Sequence, residues 1–188
     1  MSAEKQYTTF TKEEEIRIQH LFEKVRKIRG TIIDSTVAVE NVLDDTFAAE
    51  FFPKDTDNEY GHRFKSFILY KLTFKTKIEI LRNILKARYK KVFDDHPSLF
   101  DDFDSIRDLR NEVAHAQFDN AIESLKTMSE DKIQFTVYKK GQSITRTITS
   151  DEANLHQKNC FRVMRELIDI SIIISAMSGG HSKQSYRG

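Results

Sequence analysis

The sequence predicts an all-α fold, an antiparallel up-and-down helical bundle with one β-hairpin inserted before the last helix, and three observations predict it. Apolar residues recur at steps of three and four along four long stretches. The period switches to two only between about residues 132 and 149. The composition has no tryptophan, two prolines and six glycines, and its 31 % charged residues balance to a net +1, which suits a soluble and mostly helical chain. With 188 residues the chain is long enough for one domain with its own core. That domain is expected over residues 1–178, with a disordered tail over 179–188 carrying Gly179, Gly180, Ser182, Ser185 and Gly188.

Thr11 opens the first helix. It places Glu14 to complete a capping box, and Ile18, Leu21, Val25, Ile28, Ile32, Val39, Leu43 and Phe47 follow at helical steps. One long helix, or two nearly collinear ones, is predicted over 12–52, with Gly30 as the place for a bend and an end before Pro53. Residues 53–61 carry Asp55, Asp57, Asn58 and Gly61 and read as a loop. A second helix is predicted over 70–92. Its apolar side is Phe74, Ile78, Leu81, Leu85, Tyr89 and Val92, with Lys75, Lys77, Arg82, Lys86, Arg88 and Lys90 elsewhere. The phrase Asp94-Asp95-His96-Pro97-Ser98 is a turn into a third helix over 98–117, whose Asp101 and Asp102 suit the positive end of the helix dipole.

In the hairpin, Ile133, Phe135 and Val137 alternate with polar residues, Lys140-Gly141 makes the turn, and Ile144, Arg146 and Ile148 alternate again. Pairing Val137 with Ile144, Phe135 with Arg146 and Ile133 with Ile148 gathers those six side chains on one face. That face should lie on the bundle, because a bare hairpin is marginal in water. A last helix follows from Ser150 to about residue 177, with Leu155, Val163, Leu167, Ile170 and Ile174 on one stripe and Ile168, Ile172 and Ile173 off it. Its second half is therefore expected to be central or to form a subunit interface.

Several function classes are disfavoured. The near-zero net charge argues against bulk attraction to polyanions, so any contact with nucleic acid must be local. Cys160 is the only cysteine, which rules out an intramolecular disulfide and reads as a buried, inert thiol. The run Leu167 to Met177 is too short to span a bilayer, and Met1-Ser2-Ala3-Glu4-Lys5 opens no apolar leader, so no membrane association and a cytoplasmic protein are expected. The acidic residues near Asp94-Asp95-His96 and Asp101-Asp102-Asp104 flank a turn and a helix start, where such residues are ordinary, so no metal and no cofactor is expected.

One segment carries chemistry. In the third helix Leu99, Phe103, Ile106, Arg110 and Val113 follow at steps of four, three, four and three, so a charge interrupts the core stripe. That is costly unless something uses it. Asn111 and His115, four apart, share a helix face beside the arginine. A guanidinium grips phosphate oxygens in a bidentate fork, an amide adds a hydrogen bond, and an imidazole exchanges protons near neutral pH. The bland alternative is a salt-bridged structural adaptor, in which Arg110 pairs with Asp104 or Asp108 and His115 caps the helix end. Arg107, Lys86 and Arg88 are further candidates for tracking an RNA backbone, although a basic helix end is usually solvated.

The phrase Arg110-Asn111-Glu112-Val113-Ala114-His115 resembles the Arg-x4-6-His motif of the HEPN superfamily, the higher eukaryote and prokaryote nucleotide-binding domains. The layout is similar too: long antiparallel helices over about residues 12–177, with the motif at the end of the helix before the last one, and a phrase such as Leu72-Thr73-Phe74-Lys75-Thr76-Lys77-Ile78-Glu79-Ile80-Leu81 in the helix before. The resemblance implies a metal-independent endoribonuclease of toxin or phage-defence type acting as a homodimer, in which the motifs of two copies meet in one cleft. Arg110 would hold the scissile phosphate, Asn111 would add a hydrogen bond and His115 would move the proton. An antitoxin or another regulatory protein would be a further partner. It equally allows a non-catalytic member that binds a nucleotide, RNA or a protein. One branch carries a modifiable tyrosine two residues after the histidine; Gln117 stands there instead, so control by that modification is not expected.

Overall fold

The 40-residue helix α1 (Lys12–Phe51) is the spine on which the other elements pack. The computed structural model describes residues 10–52, 59–118, 125, 128, 132–139 and 142–180. The capping box at its start is formed: Glu14 N donates to Thr11 Oγ1 at 3.2 Å and Thr11 N to Glu14 Oε2 at 2.9 Å. The helix runs unbroken through Gly30. Next come α2 (Glu59–Phe67), a single 3-10 turn (Leu69–Lys71), α3 (Phe74–Arg88), α4 (Lys90–Asp95) and α5 (Leu99–His115). Three strands follow, β1 (Gln117–Phe118), β2 (Lys132–Lys139) and β3 (Gln142–Thr149), and α6 (Ser150–Gly180) closes the described chain.

Contacts fix the direction and level of α5 and α6 relative to each other and to α1. Asp102 meets Arg162 at 2.6 Å, and Arg146 joins Glu112 to Glu152, so α5 runs against α6. Thr36 meets His156 further along both helices than Ile28 lies beside Ala153, so α6 runs with α1. The hairpin has the register expected from its alternation, with Ile133 opposite Ile148, Phe135 opposite Arg146 and Val137 opposite Ile144. Its inner face is on the bundle: Ile133, Phe135, Val137 and Ile148 are buried against Leu21, Val25, Ile28, Ile32 and Val113. Burying such a side chain stabilises by about 2 kcal/mol, which anchors a hairpin that would not persist alone.

The core is split in two. One cluster holds Val39, Leu43 and Phe47 of α1, Leu99, Phe103 and Ile106 of α5, and Cys160 through Ile174 of α6. The other holds Leu21 through Ile32, Val113 and Ala116, Ala153 and the hairpin. Each long helix crosses between them at a polar stretch: Ser35 and Thr36 in α1, Arg110 in α5, His156 in α6.

Several expectations need correction. The helix expected over 70–92 is three pieces, because Thr73 caps α3 through Thr76 N and the backbone breaks at Tyr89 (φ −129°, ψ 50°), whose hydroxyl donates to Glu50 Oε2 at 2.6 Å. Lys77, expected on the polar side, is 2 % exposed and pairs with Glu40 at 2.8 Å and Asp44 at 2.9 Å. Among the described residues the sheet has three strands, since Gln117 and Phe118 pair with Thr136 and Phe135, so the third helix ends at His115. Residues 59–61, read as loop, start α2. Ile144 stays exposed beyond the reach of the bundle. Leu155 leaves the core stripe of α6 and is 59 % exposed, its place taken by Ala153, His156 and Cys160. The second half of α6 is not central, because Ile168, Ile172 and Ile173 face outward. Asp55, Asp57 and Asn58, the Lys140-Gly141 turn and residues 181–188 of the expected tail lie outside the described residues. No helix among the described residues is long and apolar enough to cross a membrane.

Candidate functional site

The last two turns of α5 carry the candidate site, and packing explains why a charge sits there. Ile106 belongs to the first apolar cluster and Val113 to the second, so Arg110 occupies the gap between them and is only partly buried. The expected carboxylate partners are taken by a neighbour. Arg107 donates to Asp104 Oδ1 at 2.6 Å and to Asp108 Oδ1 at 2.8 Å, and these carboxylates, Asp108 first, push its pKa further up. Among the described residues Arg110 makes one side-chain hydrogen bond, from Nη1 to Asn111 Oδ1 at 3.1 Å, and no ion pair. That bond turns the amide so that Asn111 Nδ2 remains free to donate.

His115 is the last residue of α5, exposed, and without a side-chain hydrogen bond among the described residues. Five residues on an α-helix advance by about 140° beyond a full turn, so Arg110 and His115 lie on different sides of α5 with Asn111 between them. Arg110 and Asn111 are brought together; among the described residues no side-chain hydrogen bond joins either to His115. The helix end itself is held from α1. Arg29 Nη2 donates to Val113 O at 3.1 Å and Ala116 O at 3.2 Å, with Ala114 O at 3.5 Å, so a guanidinium covers carbonyls that the helix leaves unpaired. Arg29 is absent from the sequence reading. It lies off the apolar stripe of α1 and pairs with backbone 84 to 87 residues away, which no local pattern announces.

Arg146 explains another oddity, a charge on the inner hairpin face. It bonds Glu112 at 3.4 Å, Glu152 and its neighbour's carbonyl, Thr147 O, at 2.9 Å, tying α5, β3 and α6 together beside the candidate site. The remaining RNA-backbone candidates do not join the site. Arg88 pairs with Glu50 and lies over the Tyr89 ring, while the Lys86 ammonium sits 5.1 Å from the centre of the Phe93 ring. Glu50 is 21 residues along α1 from Arg29, about 30 Å, so Lys86 and Arg88 mark the other end of the molecule. Arg107 is near but is engaged by its two carboxylates.

Cys160 is buried, and burial pushes its thiol pKa up, as expected for an inert residue. His156, which had no evident partner in the sequence, bonds Thr36 Oγ1 at 3.1 Å and approaches Cys160 Sγ at 3.5 Å, and burial lowers its pKa. A groove of about 530 Å³ between α1 and the start of α6, lined by His20, Lys24, Lys27 and Asn154, contains none of the three motif residues. Among the described residues, no three His, Cys, Asp or Glu side chains gather in a way that would hold a metal ion. Comparison of the chain with protein-family models, curated proteins and solved structures returns no match.

Proposed function

We propose that Arg110, Asn111 and His115 form a phosphate-binding and proton-transferring site that cleaves RNA without a metal ion. The observation that carries the reading is the guanidinium of Arg110, partly buried between two apolar clusters with an amide as its one side-chain partner among the described residues. A structural adaptor would have paired it with Asp104 or Asp108, and both of these serve Arg107. The resemblance of the phrase to the HEPN motif supports the same assignment.

In this reaction the 2′-hydroxyl of RNA attacks its own neighbouring phosphorus. A base takes the hydroxyl proton, an acid protonates the leaving 5′ oxygen, and a cation offsets the charge that builds on the phosphorus oxygens. Arg110 supplies the cation and Asn111 Nδ2 a further donor. His115 supplies one proton-transferring group per chain, so a homodimer that places two copies of the α5 terminus across one cleft supplies both base and acid. The protein would act in the cytoplasm as a toxin or defence nuclease, under an antitoxin or another regulatory partner. A second reading, a non-catalytic module that holds RNA, a nucleotide or a protein, is favoured by the separation of His115 from Arg110 around the helix.

The test is cleavage of a mixed RNA pool in EDTA by the wild type, Arg110→Ala and His115→Ala. Both variants are expected to lose at least about 100-fold in rate, the usual contribution of a positioned proton-transfer group, while keeping the wild-type melting temperature within a few degrees. RNA binding without cleavage in the wild type would favour the second reading. Unchanged rates in either variant would refute the first.

A further inference from the structure

Three residues of α1 stand at steps of four and three on the side that faces the end of α5: Phe22, Arg26 and Arg29. Arg29 holds the carbonyls around His115, and its guanidinium lies 6.0 Å from the centre of the Phe135 ring. Phe135 stacks edge-on with Phe118 at 6.4 Å, and Phe118 with Phe22 at 5.3 Å and an interplanar angle of 70°. This chain of contacts fixes Phe22 beside β1, three residues past His115. The ring is held yet remains 37 % exposed, unlike Phe135, which is fully buried. Between Phe22 and Arg29 stands Arg26, exposed and without an ion pair or side-chain hydrogen bond among the described residues.

We infer that Phe22 and Arg26 form a subsite for single-stranded RNA next to the proposed cleavage site, with Phe22 stacking a base and Arg26 contacting the backbone phosphate beside it. An aromatic ring offers its face to any base, and an exposed guanidinium one turn away meets the phosphate that the base carries. The arrangement favours an unpaired strand over a duplex, because only an unstacked base can lie on a protein ring. It also supplies the local positive charge that a net charge of +1 does not provide. The inference rests on the reading of Arg110 and His115 as an RNA site, and it names the form of RNA that the site takes.

The experiment measures binding of a fluorescent single-stranded RNA 12-mer and of the matching duplex to the full chain carrying His115→Ala, in which no cleavage interferes. Phe22→Leu, which keeps apolar packing on Phe118 but removes the stacking face, is expected to weaken single-strand binding about tenfold. Arg26→Gln, a change at an exposed position, is expected to weaken binding and to lower the slope of log affinity against log salt by about 0.7. Duplex binding should be weaker than single-strand binding and insensitive to Phe22→Leu. Circular dichroism melting of each variant separates these effects from unfolding. Wild-type affinity in both folded variants, or no binding of the single strand at all, overturns the subsite. If both variants weaken binding while the wild type cuts no RNA, the subsite stands and the nuclease reading fails. If the wild type cuts RNA through His115 but both variants bind normally, only the subsite fails.

Discussion

Among the described residues Arg110 is left without a carboxylate, because Arg107 stands nearer to Asp104 and Asp108. Asp104 and Asp108 lie three residues before and one after Arg107, within reach of its fork, whereas Arg110 has its long stem in the gap between two apolar clusters. The interruption of the stripe at Arg110 was legible in the sequence from the spacing of Leu99, Phe103, Ile106 and Val113. Which arginine won the carboxylates was not, since that choice depends on where each side chain leaves the helix. Lys77 and His156 were illegible for a related reason: each is buried by partners on another helix, Glu40 and Asp44 for the lysine and Thr36 for the histidine. Burial raises the Asp44 pKa and lowers that of His156. For His156 the folded state holds the ring below its ordinary value of 6.5, so between that lowered value and 6.5 the unfolded chain binds more protons. Its contribution to stability is therefore complete above about pH 6.5 and declines as the pH falls below it. Urea unfolding between pH 5 and pH 8 is expected to show this decline, and His156→Gln should flatten it; a variant with the same pH slope as the wild type would exclude His156 as the source.

Elements were read from periodicity, and they came out well where a single face was buried. α1 keeps its stripe through 40 residues, and the hairpin register followed from alternation because a one-residue slip would turn Ile133, Phe135 and Val137 outward. Reading failed where long-range contacts end an element. Tyr89 leaves helical geometry to reach Glu50, and β1 forms because Phe118 finds Phe135 and Phe22. The end of α5 is another such case, held by Arg29 rather than by a glycine or a side chain of its own. Removing that guanidinium by Arg29→Met leaves the last carbonyls unpaired. A hydrogen bond to a charged group contributes about 1.5–3 kcal/mol, so the amides of residues 113–118 are expected to exchange with deuterium at least about tenfold faster than in the wild type, with the amides of α3 unchanged. Equal exchange at both places would show that the helix end does not depend on Arg29.

At the scale of the whole molecule, two apolar clusters meet at a polar belt, and the candidate site opens where α5 crosses it. Because α5 runs against α6, Arg110 lies level with about Asn154, while the outward Ile168 and Ile172 lie 14 to 18 residues further along α6. That is about 20–27 Å, so on the proposed reading a second copy that completes the site docks beside the α5 terminus and not on those isoleucines. The measurement that bears most directly on the central claim is the chemistry of the ends left on RNA cut by the purified protein in EDTA. Attack by the 2′-hydroxyl under Arg110 and His115 predicts 2′,3′-cyclic phosphate and 5′-hydroxyl ends that disappear with His115→Ala. Ends bearing a 3′-hydroxyl and a 5′-phosphate, or cyclic ends formed equally well by His115→Ala, would contradict it.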